Sequence, residues 1–97
     1  MNAGICKLRL HIPENHSLKE KRRVVKSIIS RLRNQFNVSV AEVDDYDLWQ
    51  MTTLGISCVS NHNNHVDEVL TRTINFITQH YPELEIVDQE IEILQGY

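Results

Sequence analysis

The sequence predicts one α+β domain in which the elements follow the order βαββαβ. Three observations carry this. Two stretches repeat apolar residues at helical spacing, four others are alternating or β-branched and read as strands, and each helix pattern lies between two strand patterns. Two βαβ halves of near-equal length fold as a four-stranded antiparallel sheet, with both helices on one face and the spatial order 4-1-3-2. The first and third strands are then central, and one sheet face is left open.

Ala3 to Ile12 alternates: Cys6, Leu8, Leu10 and Ile12 point one way, and Lys7, Arg9 and His11 the other, as in a half-buried strand. Pro13 to His16 leads into Ser17–Phe36, a helix whose stripe is Leu18, Val25, Ile28, Ile29, Leu32 and Phe36. Ser17 followed by Glu20 is a capping box. Lys21 lies close to the stripe, and its stem is expected to snorkel along it. Asn37 to Asp44 is a second strand whose apolar parity shifts from Val38 and Val40 to Ala41 and Val43, which predicts a bulge or an early end. Asp45 to Gln50 is a polar-aromatic hairpin connection, and Thr53 to Ser60 a third strand. Asn61 to Asn64 forms a capping loop before a second helix, Val66 to Gln79, which Tyr81-Pro82 terminates. Leu84 to Leu94 is the last strand, with a parity break near Val87 and Asp88. This arrangement, one domain over residues 1–97, is the ferredoxin-like fold.

Composition narrows the function classes. The 97 residues are 41% hydrophobic and 24% charged, ordinary for a globular chain, and no apolar run is long enough for a spanning helix. With no basic, apolar, small-residue leader among these residues, the chain is not expected to be marked for export. Cys6 and Cys58 fall in strands and match no metal spacing, so they are expected to be buried, reduced thiols in a cytoplasmic protein. The net charge of −3 is unevenly spread: residues 1–36 hold nine basic and two acidic side chains, and residues 37–97 one basic and eleven acidic. Two readings stand open, a functional basic face or mutual neutralisation of the two halves across the sheet.

The block SLKEKRRVVKSIISRLRNQFNVSVAEVDDYDLWQ, with LG and VSN after a short gap, resembles the YlxP-like family of small bacterial proteins of unknown function. The resemblance runs from HIP in the first strand to VDEVL in the second helix, and the last strand is a generic match. It implies a ferredoxin-like fold and genes commonly placed beside translation and ribosome-assembly genes. It implies no reaction and no cofactor. His62 departs from the family, where many relatives look acidic.

The candidate sites follow from the residues. Lys19, Arg22, Arg23, Lys26 and Arg33 fall on one flank of the first helix, a cationic face suited to phosphates, with the helix N-terminus at Ser17 adding N–H groups. The bland alternative is a solvated face or a dock for the acidic half of a second subunit. On the open sheet face, Lys7 and Arg9 are expected to pair with Glu90 and Glu92. The outward positions of the third strand, Thr53, Gly55, Ser57 and Val59, supply no aromatic platform for stacking bases. The hairpin residues Asp44, Asp47, Leu48, Trp49 and Gln50 read as a partner contact or as turn structure, with Asp44 and Asp47 accepting backbone N–H groups. Glu42, Asp44 and Asp47 fit no calcium loop, and His62 and His65 lack a third metal ligand. An acylphosphatase is of this size and topology. The loop His11 to His16, however, has no glycine and no arginine, and Glu14 would repel phosphate.

The expectation is a non-catalytic cytoplasmic binding protein without metal, cofactor, membrane anchor or small-molecule ligand. It would contact structured RNA, ribosomal RNA included, through the first helix as a translation- or ribosome-assembly-linked accessory. The alternative is a homodimeric protein-interaction or regulatory module that docks partners on the hairpin or the open sheet face.

Overall fold

A computed structural model of the chain describes residues 1–62 and 64–97. The elements are β1 (Asn2–His11), α1 (Leu18–Gln35), β2 (Ser39–Asp44), β3 (Met51–Ser60), α2 (His65–His80) and β4 (Glu85–Leu94). The strands form one antiparallel sheet in the order β2-β3-β1-β4, which is the expected 4-1-3-2 read from the other edge.

Alternation decides which face is covered. Cys6, Leu8 and Leu10 of β1 stand opposite Ile56, Leu54 and Thr52 of β3, and all six are buried under the helices. Val25, Ile28 and Leu32 of α1 and Val66, Leu70, Ile74 and Ile77 of α2 complete the core. Gly4 is where α2 comes closest to the sheet. A Cβ there would run into Val66 Cγ1 and lie 2.9 Å from Leu70 Cδ1.

Both parity breaks are bulges. The β2–β3 register shifts between Glu42 and Asp44, leaving Val43 unpaired, and the β1–β4 register shifts opposite Arg9 and Leu10, leaving Val87 unpaired. Val43 leans over Gly55, where an added Cβ would lie 2.8 Å from Val43 Cγ1.

The helix ends differ from expectation in detail. Ser17 Oγ accepts from Glu20 N at 3.1 Å, but the Glu20 carboxylate accepts from His16 N at 3.0 Å, one residue before the usual partner. Asn64 is the N-cap of α2 yet makes no side-chain cap, because its backbone is already helical (φ −103°, ψ −2°). The rest of the proposed Asn61–Asn64 capping loop includes Asn63, outside the described residues. Arg31, on the far flank of α1, stacks over Phe76 and Tyr81 at 5.4 and 5.2 Å and ties the two helices together.

Candidate nucleic-acid interface

The region around the start of α1 is built by a lysine that does not snorkel. Lys21 is completely buried, and its ammonium meets Glu42 Oε2 at 2.9 Å. It also donates to the carbonyls of Asp45 at 2.6 Å and Tyr46 at 3.0 Å. Three oxygens thus take its three protons, which is how a buried ammonium is made tolerable. Thr52 Oγ1 donates to the same Glu42 carboxylate at 2.6 Å. The stem follows the apolar stripe, as the spacing predicts, but the head is drawn inward by a carboxylate and two carbonyls 21 to 25 residues away in sequence.

Asp45 is the second anchor. Its φ of 60° places it in the left-handed region, which turns the chain out of β2. Its carboxylate accepts from Arg9 Nε at 2.8 Å and Thr53 Oγ1 at 2.7 Å. These two bonds hold the carboxyl below its ordinary value, and the same partner raises Arg9. The expected partners of the outward β1 cations are therefore half corrected. Lys7 does face Glu90, at 3.8 Å with both side chains largely exposed, whereas Arg9 turns to Asp45 across the sheet.

From this base the hairpin is fixed against the loop before α1. Asn15 Nδ2 donates to the carbonyls of Trp49 and Ser17, Gln50 Nε2 donates to Asn15 O, and Ile12 N donates to Gln50 O. Asp44 accepts the N–H of Asp45, as expected of a turn residue; Asp47 makes no hydrogen bond among the described residues. The hairpin then presents apolar surface: Tyr46, Leu48 and Trp49 are 57%, 46% and 43% exposed. The Arg22 guanidinium sits 5.0 Å from the Tyr46 ring, so the cations of α1 and the hairpin aromatics adjoin.

Lys19, Arg22, Arg23 and Lys26 are exposed and have no ion-pair partner among the described residues. Arg23 shares a hollow of about 350 Å³ with Glu14, Glu20 and Glu83, none of them within ion-pair distance. Arg33, placed on this flank by the spacing, reaches instead to the edge of the sheet, where Nη2 donates to Val40 O at 2.8 Å. The helix N-terminus is also less open to an anion than expected, since Ser17 caps it and the Glu20 carboxylate stands beside it.

The opposite sheet face holds a shallow groove of about 780 Å³ across all four strands, with Ile5, Val43 and Gly55 at its floor and Arg33, Glu90 and Glu92 on its rims. Cys6 and Cys58 lie on the covered face as free thiols, and burial raises both above the ordinary range. The rings of His62 and His65 are 6.5 Å apart, edge to face. No group of three or more His, Cys, Asp or Glu is placed to hold a metal ion among the described residues. Nor, among the described residues, is any helix long and apolar enough to cross a membrane.

Comparison with known proteins agrees with the resemblance seen in the sequence. Residues 3–91 match the family described as "Protein of unknown function (DUF503)". The "Uncharacterized protein YlxP" of Bacillus subtilis (strain 168) is 40% identical over 82 residues, covering 84% of this chain and 88% of that protein. Among solved structures, "De novo designed protein Foldit4" superposes with a TM-score of 0.55 over the full length of both chains at 13% identity, a likeness of fold alone. By both the family match and this relative, the chain belongs to the YlxP-like DUF503 family.

Proposed function

We propose that the protein is a non-catalytic binding protein that contacts the phosphate backbone of structured RNA through Lys19, Arg22, Arg23 and Lys26 of α1. One observation carries the reading: these four cations are exposed and unpaired among the described residues, although the chain carries a net charge of −3 and eleven acidic residues beyond position 36. Mutual neutralisation of the two halves is spent elsewhere, on Lys7, Arg9 and Lys21. A helix edge of unpaired cations gains affinity by releasing counterions from phosphates. The gene neighbourhood implied by the family resemblance points toward translation, which makes ribosomal RNA the first target to try.

The test is charge reversal. Arg22→Glu with Arg23→Glu exchanges two exposed cations for anions without touching the core. It is expected to abolish binding to ribosomal RNA and to ribosomal subunits in a filter or gel-shift assay. Undiminished binding by the variant would remove the reading. A second reading is favoured by the exposed Tyr46, Leu48 and Trp49: a protein partner docking on the hairpin. In that case Trp49→Ala, and not the charge reversal, abolishes capture of the partner.

A further inference from the structure

The open sheet face sets apolar side chains beside the outward β1 cations Lys7 and Arg9, and along the Ile5–Lys7 stretch its two edges carry opposite charge. Ile5, Val43 and Val59 are each more than half exposed on it, where an isolated domain gains nothing from them. The β2 edge carries Arg33, held there by Val40 O and exposed along the groove rim. The β4 edge carries Glu90 and Glu92; Glu90 has only the 3.8 Å contact with the exposed Lys7, and Glu92 has no ion-pair partner among the described residues.

Register places these edges level with each other. Val40 stands opposite Ile56, Ile56 opposite Cys6, and Cys6 opposite Ile91, so Arg33 lies at the height of Glu90 and Glu92 along the strands. Two such faces can meet about a twofold axis that runs either along the strands or across them. An axis across the strands lays β4 on β4 and stacks carboxylates on carboxylates. An axis along the strands lays the β2 edge of one copy over the β4 edge of the other at unchanged height.

We propose that a second copy of this chain covers the open sheet face about a twofold axis along the strands, so that Arg33 of each copy pairs with Glu90 and Glu92 of the other. Near the axis, Ile5 of one copy lies over Ser57 of the other and the Lys7 stem over Gly55, because β1 and β3 exchange places at unchanged height. Aligned face-to-face packing is an ordinary solution for two twisted sheets. With strands ~4.8 Å apart and ~3.3 Å per residue, four strands of about eight residues present roughly 500 Å² of projected area. Two copies therefore bury about 1,000 Å², the lower bound for a specific contact. The face lies opposite the helices, so this proposal and the RNA reading stand or fall separately.

The test is sedimentation equilibrium of the full chain over a range of concentrations. Wild type is expected to approach twice the 11.3 kDa chain mass. Ile5→Lys is expected to stay at the monomer mass with unchanged far-UV circular dichroism, since Ile5 lies outside the core. Arg33→Glu alone, and Glu90→Arg with Glu92→Arg alone, are each expected to lose self-association. Mixed together, these two proteins are expected to form a heterodimer in which both edge contacts are again complementary. A monomeric wild type at the highest concentration, a dimer indifferent to Ile5→Lys, or a mixture that stays monomeric would each overturn the proposal.

Discussion

Replacing Lys21 with methionine removes a fully buried ammonium and keeps its apolar stem. Left behind are a Glu42 carboxylate whose side chain is only 9% exposed and two carbonyls, of Asp45 and Tyr46, that lose their donor. Breaking a buried ion pair from one side costs about 3–5 kcal/mol, because the remaining charge stays buried and uncompensated. A domain of this size is stable by roughly 5–15 kcal/mol, so the loss is a large part of the total. At a urea dependence of ~1.5 kcal/mol per molar, the unfolding midpoint falls by about 2–3 M. Adding Glu42→Gln removes the orphaned charge and keeps an acceptor for Thr52. The double variant is therefore expected to regain part of the loss, ending about 1–3 kcal/mol below wild type for the carbonyls still unmet. The assay is urea unfolding followed by circular dichroism. A Lys21→Met protein within about 1 kcal/mol of wild type, or a double variant less stable than the single one, would refute the reasoning.

Two further predictions concern the same scaffold. Asp45 titrates below its ordinary value when folded, so it adds stability above the unfolded value and loses it as the pH falls through the folded one. Asp45→Asn, which tolerates the positive φ, is expected to be less stable at neutral pH, and the gap to wild type is expected to close below about pH 4; a gap independent of pH contradicts the account of Asp45. Gly4→Ala forces α2 away from β1 at Val66 and Leu70 and is expected to cost about 1–3 kcal/mol in the same unfolding assay; an unchanged midpoint would mean that the helix is free to shift.

The fold was legible because alternation and helical spacing both report which face is buried, and here they do not conflict. Even the irregularities showed: the parity breaks at Ala41–Val43 and Val87–Asp88 are the bulges at Val43 and Val87. The polar interior was not legible in the same way. Lys21 stood near the apolar stripe, which is a signal, but a lysine there reads as a snorkelling stem until the positions of Glu42, Asp45 and Tyr46 are known. Those positions depend on the left-handed turn at Asp45, and an Asp at a turn has several uses. Arg33 shows the same limit: its angle on the helix wheel matches that of the other cations, but the nearby β2 edge offers it the Val40 carbonyl. Periodicity assigns a side chain to a face, and long-range partners decide where its charged end goes.

The central claim concerns the four exposed cations of α1, and a salt titration addresses it most directly. If all four contact phosphates, the logarithm of the RNA binding constant falls against the logarithm of salt with a slope of about −3 to −4. Between 50 and 200 mM salt this weakens binding by about 60- to 250-fold. The account predicts that slope for wild type, with loss of binding for Arg22→Glu with Arg23→Glu. Absence of binding to ribosomal RNA at 50 mM salt, about the low end of that range, or a slope near zero would contradict it.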